Sequence, residues 1–168
     1  MARRVFFSFE FESDVWRSNV VRNSWVTQGK EAAGFFDAVE REKIVKTSAP
    51  IEFWINRQLQ GTTVTVVLVG KDTYESKWVR YEIKQSLDKG NGLLFIDISQ
   101  IKDEQGKTTK SCGKILFFFR LINIFIQCNR TKKYGEIPDG YSFYDWVEED
   151  GYNNMGDWIE KAAKEAKK

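Results

Sequence analysis

The alternation of apolar and polar positions divides the chain into short elements. RVFFSF (4–9) is a continuous apolar run with no helical period, the pattern of a strand buried on both faces. DVWRSNVVRNSWV (14–26) follows. It predicts a helix with Trp16, Val20 and Asn23 on one side and Val15, Asn19 and Arg22 beside them, capped by Ser13 or Asp14. Its polar content is high for a helix that must cover a sheet. TQGKEAAGFFDAVEREK (27–43) reads as a loop. In SAPIEFWINRQLQG, Ile51, Trp54, Ile55 and Leu59 fall at helical spacing, and Gly61 supplies a stop.

TTVTVVLVG (62–70) is β-branched throughout and ends in glycine, as a central parallel strand does. SKWVRYEIKQSLDKGNG (76–92) is again helical through Val79, Ile83 and Leu87, and GLLFIDIS (92–99) is a further buried strand. Strand, helix, helix, strand, helix, strand predicts an α/β protein with a mainly parallel sheet, wound in the flavodoxin-like manner. Beyond residue 100 the pattern loosens. The run 115–128 reads as a strand pair or a strand with an apolar extension, DGYSFYDWVEEDGYNN as an aromatic, acidic loop, and MGDWIEKAAKEAKK as an amphipathic final helix. With 168 residues, two prolines and no repeat or Pro-rich linker, residues 1–168 are read as a single domain.

Composition narrows the chemistry. The 26 Lys and Arg against 24 Asp and Glu leave scattered basic residues and a net charge of +2, too small to imply nucleic acid or an anionic membrane as an obligate partner, and neither is expected. MARRVFFSFEFES makes no signal-peptide core, and 115–128 is interrupted by Arg120 and Asn123, so a soluble, cytoplasmic protein is expected. Cys112 and Cys128 have no metal-like spacing. There is no histidine. That excludes Ser-His and Cys-His nucleophiles and histidine-based metal sites, leaving carboxylates, hydroxyls, amides and lysine.

In open α/β sheets ligands bind beyond the carboxyl ends of the strands, which brings SFEFES, GKDTYES and the start of the 76–92 helix to one crevice. Glu82 lies in that helix, with Trp78 four positions earlier on the same face. On spacing alone Glu82 reads as a surface carboxylate, although Trp78, Val79, Gln85 and Ser86 offer it no basic partner. Ser8 reads equally as a ligand donor or a turn serine. Trp16, Trp25, Trp54 and Trp158 read as core anchors.

RRVFFSFEFESDVWRSNVVRNSWV, QLQGTTVTVVLVG, KWVRYEIKQSLDKGNGLLFIDISQIKD and YDWVEEDGYNNMGDWIEKAAK together resemble the TIR-like domains of the Thoeris anti-phage system, of the ThsB type, over nearly the whole chain. The resemblance implies a TIR fold with a parallel sheet of about five strands and a site that cleaves NAD. The glutamate of the W-x-x-x-E block, here Glu82 after Trp78, would be catalytic, and Ser8, Phe9, Glu10 and Trp78 would line the substrate pocket. NAD would be substrate rather than cofactor, with no metal or other cofactor. The product would be a cyclic ADP-ribose-type messenger read by a separate ThsA-type effector; a phage-derived trigger and a homo-oligomeric active form stay open. The alternatives are a non-catalytic TIR interaction module, an NAD-depleting hydrolase, or base exchange of the nucleoside deoxyribosyltransferase kind. Family members usually carry histidine where this chain has Glu10, and 115–128 is richer in Phe and Ile than the family's corresponding region.

Overall fold

The computed structural model describes residues 3–29, 32–33, 51–111 and 141–166; the 115–128 run and both cysteines lie outside them. The elements in chain order are β1 (Val5–Ser8), α1 (Phe11–Thr27), β2 (Ala32–Ala33), α2 (Ile51–Leu59), β3 (Val64–Val69), a 3-10 turn (Thr73–Glu75), α3 (Lys77–Lys89), β4 (Gly92–Asp97), β5 (Ser142–Asp145) and α4 (Gly151–Glu165). All pairings in the five-stranded sheet are parallel, in the order β2-β1-β3-β4-β5. The chain steps from β1 to β2 on one side and then crosses to β3 on the other. The topological switch point therefore lies between β1 and β3, where ligands bind in doubly wound sheets.

Every residue of β1, β3 and β4 is buried, because helices cover both faces of the sheet. On one face Val5, Phe7, Val64, Val66, Leu68, Leu94 and Ile96 pack against Val21 and Trp25 of α1 and Met155, Trp158 and Ile159 of α4. On the other, Val67, Val69, Leu93 and Phe95 meet Val79, Ile83 and Leu87 of α3, while Phe6 meets Ile55 and Leu59 of α2. The helical spacings at α2 and α3 predict these contacts. Gly90 ends α3 in the left-handed conformation, φ 81°.

Four expectations are corrected. β5 runs through the stretch read as an aromatic loop, with Tyr144 stacked on Trp158 at a centroid distance of 4.1 Å. It is a half-buried edge strand of four residues, too short to show a period. β2 pairs Ala32 and Ala33 with Val5 and Phe6 inside the presumed 27–43 loop. α4 begins at Gly151, four residues before Met155. α1 begins at Phe11, capped by the Glu10 side chain rather than by Ser13 or Asp14.

The orientation of α1 is the larger correction. Its inward residues are Asp14, Arg17, Ser18, Val21, Ser24 and Trp25, and Trp16 is 44% exposed rather than a core anchor. Trp25 and Trp158 are core residues as expected, and Trp54 is half-buried against the Phe6 cluster. Among the described residues no helix is long and apolar enough to cross a membrane.

Candidate active site

Glu82 is not the surface carboxylate its helical neighbours suggest. It is 6% exposed, because its position on α3 turns it toward the carboxyl end of β1 instead of solvent. There the Ser8 hydroxyl, itself 1% exposed, donates a 2.5 Å hydrogen bond to Glu82 Oε2. Burial is the largest influence on this carboxyl and disfavours its charged form. The Ser8 bond acts in the opposite sense, the negative charge of Glu10 adds to the rise, and the Glu82 pKa is pushed up to about 8.

The other sequence-predicted site residues divide between the two faces of the sheet. Trp78 lies one turn before Glu82 and packs with Tyr81, Trp54 and Ile51 around the Phe6 cluster. Its ring stands edge-on to Tyr81 at 6.4 Å, and the Lys77 ammonium lies 4.5 Å above it. Glu10 caps α1 and remains within electrostatic reach of Glu82. Phe9 packs instead with the core layer of α1 and α4, 6.3 Å from the Phe11 ring, on the face opposite Glu82. Ser8, Glu10 and Glu82 are thus brought together at the switch point, Trp78 lies one helical turn away against the Phe6 cluster, and Phe9 turns away.

Sequence reasoning missed the groups that hold this end of the sheet. Arg17 of α1 donates through Nε to the Ile101 carbonyl at 2.9 Å and through Nη2 to the Lys107 carbonyl at 3.0 Å, pinning the segment after β4. Asp14 accepts from the Ser13 hydroxyl at 2.9 Å and lies 3.4 Å from the Thr73 hydroxyl, on the turn before α3. Asn56 ties α2 to α3 through the Tyr81 hydroxyl at 3.0 Å. The available signal was the polar content of 14–26, which suits a helix packed partly on loops.

A cavity of about 210 Å³ lies at the opposite end of the sheet, before the amino ends of β3 and β4, lined by residues including Arg3, Thr62, Lys89 and Asn91. Its polar groups are committed to one another: Arg3 pairs with Glu160 at 2.8 Å, and Lys89 donates to carbonyls of Leu59 and Thr62. Lys89 thereby caps the carboxyl end of α2, while Arg3 ties α4 to the Thr63 hydroxyl ahead of β3, both structural roles. Among the described residues no group of three or more His, Cys, Asp or Glu is disposed to hold a metal ion.

The chemical capacity of the switch-point site is that of one buried carboxyl, hydrogen-bonded to Ser8, with a tryptophan one helical turn away. Such a group can stabilise a developing cation or hold hydroxyls.

Comparison with known proteins gives this arrangement a family context. The family described as "Thoeris protein ThsB, TIR-like domain" matches residues 6–103, which include Ser8, Trp78 and Glu82. A Bacillus cereus (strain MSX-D12) protein named "Putative cyclic ADP-D-ribose synthase ThsB1" is 37% identical over 192 aligned positions, covering 95% of this chain and 100% of that protein. Among solved structures, the TIR domains of the activated Roq1 resistosome recognising the effector XopQ align over 99% of this chain and 84% of theirs, at 16% identity and a TM-score of 0.44.

Proposed function

Since the chain belongs to the Thoeris ThsB TIR-like family, we propose that it cleaves NAD at the nicotinamide N-glycosidic bond and closes the remaining ADP-ribose into a cyclic messenger. The observation that carries this reading is the buried Glu82 carboxyl, hydrogen-bonded to Ser8 at the switch point of the sheet and one turn from Trp78. The name of the Bacillus cereus relative supports it for the product class.

The chemistry suits a site without histidine. Nicotinamide departs as a neutral molecule from a cationic pyridinium, so breaking the C1′–N bond needs no general acid. What the reaction demands is stabilisation of positive charge growing at the ribose C1′, which an ionised Glu82 supplies electrostatically or by holding the ribose hydroxyls. The positive charge of bound NAD favours the ionised form of Glu82, countering the burial that raises its pKa. Ring closure then forms a C1′–O bond to another hydroxyl of the same ADP-ribose, whose proton is released, provided that water is kept from C1′. NAD is the substrate, and these steps call for no metal or further cofactor.

In this reading Ser8 orients the Glu82 carboxyl, Trp78 forms a wall of the nucleotide site, and Glu10 sets the charge at its mouth. The protein acts in the cytoplasm as one domain, and the messenger reaches a ThsA-type effector by diffusion. The test is to add NAD to lysates of phage-infected cells expressing the chain. Nicotinamide release with a product one water lighter than ADP-ribose is expected. ADP-ribose alone would replace the cyclase with an NAD-depleting hydrolase, and no turnover in a protective lysate would favour an interaction module.

A further inference from the structure

The inward face of α1 carries a carboxylate where a helix on a sheet ordinarily carries an apolar side chain. Asp14 is 1% exposed, and its Oδ1 has no hydrogen-bond partner among the described residues. Leaving a buried acceptor unmet is costly, so its retention calls for a compensating contribution. Its surroundings suggest one. The Asp14 carboxylate fills the space in front of Gly70, where an added Cβ would lie 2.2 Å from both carboxylate oxygens.

Gly70 opens the turn from β3 to α3. Its N–H donates to the Thr73 hydroxyl at 2.7 Å, and that hydroxyl lies 3.4 Å from Asp14 Oδ2. The turn closes with Glu75 N–H on the Asp72 carbonyl and Ser76 N–H on that of Thr73, and the Ser76 hydroxyl then caps α3 by accepting from the Val79 N–H. Glu82 follows within the next two turns of that helix. One continuous set of contacts thus runs from Asp14 through Gly70 and Thr73 to the start of the Glu82 helix.

We propose that Asp14 is a positioning residue for Glu82: wedged against Gly70 and bonded toward Thr73, its carboxyl sets the β3–α3 turn and hence where α3 places the Glu82 carboxyl against Ser8. The role is mechanical and belongs to the acceptor oxygen and volume of the side chain rather than to its charge. The consequence for catalysis rests on the reading of Glu82 above; the effect on the turn does not.

Amide hydrogen exchange and NAD turnover, followed in one set of variants of the full chain, test it. Asp14→Ala is expected to speed exchange at Gly70–Val79 at least tenfold while β4 and α4 stay unchanged. It should lower kcat roughly 10- to 100-fold with KM altered less than about threefold, since small displacements of a reacting group act on the chemical step. Asp14→Asn keeps an acceptor and the volume and should restore both. Gly70→Ala should reproduce the defect, because its Cβ displaces the carboxylate. Joined to Asp14→Ala it should add nothing, the clash having been removed.

If Asp14→Ala does not fold, Gly70→Ala against wild type carries the same exchange test. Unchanged exchange at 70–79, additive defects in the double variant, or an Asn variant as impaired as Ala would overturn the proposal. Turnover that is insensitive to Glu82→Gln would instead defeat the functional reading, while the exchange results still decide the role of Asp14.

Discussion

The Ser8 hydroxyl and the Glu82 carboxyl, 74 positions apart in the chain, meet in a 2.5 Å hydrogen bond where β1 ends beside α3. Both side chains are buried, and the bond opposes the rise in pKa that burial imposes on Glu82. Removing the hydroxyl with Ser8→Ala should therefore push the Glu82 pKa further up. The pH–rate profile for NAD cleavage is expected to shift to higher pH, with activity at pH 7 reduced roughly tenfold by loss of the ionised form and of its alignment. A profile recorded from pH 6 to 10 checks this; an unshifted midpoint would remove Ser8 from the site.

Glu10 acts on the same group in the opposite direction. Its negative charge helps hold the Glu82 proton, so Glu10→Gln should lower the Glu82 pKa and move the rising limb of the profile toward neutrality. The fold should be little affected, since Gln retains a side-chain oxygen for the cap on Glu12 N–H. Raising the salt concentration should reproduce part of the shift in wild type and none of it in the variant.

The raised pKa also fixes the sign of a stability effect. A carboxyl whose folded pKa of about 8 exceeds its ordinary 4.5 binds more protons folded than unfolded. Its contribution is complete below about pH 4.5 and is lost as pH rises through about 8. Glu82→Gln, neutral at every pH, should match wild type near pH 4.5 and exceed it at pH 9 by on the order of a few kcal/mol. Urea midpoints at pH 4.5, 7 and 9 measure this directly. A variant that is destabilised across the range would make Glu82 a structural rather than a functional carboxyl.

How much of this was legible in the sequence depended on the range of the forces involved. The strands β1, β3 and β4 announce themselves as continuous apolar runs, because both their faces are buried, and the helices α2 and α3 by local periodicity, because each buries one regular face. β2 and β5 do not; two and four residues respectively, they exist through pairing with a neighbouring strand. α1 misled for a different reason. Its inward face meets loops as well as sheet, so Asp14, Arg17 and Ser18 point in while Trp16 and Val20 point out, against the apolar pattern.

The candidate site followed the same division. The W-x-x-x-E spacing brought Trp78 and Glu82 to attention, but local neighbours cannot reveal that Glu82 is buried, since Ser8 reaches it from another element. Phe9 adjoins Ser8 in sequence yet faces the other core layer, as strand alternation requires of neighbouring residues. Asp14 and Gly70 carry no recognisable motif, and their relation exists only in three dimensions.

Mass spectrometry of nucleotides from phage-infected cells expressing either wild type or Glu82→Gln tests the central claim most directly. Wild-type cells should accumulate a species of the mass of cyclic ADP-ribose, and the folded Glu82→Gln protein should reduce it at least 100-fold, the scale of losing a main electrostatic stabiliser. Equal amounts of that species in both, or protection from phage with no nucleotide change dependent on Glu82, would contradict the account.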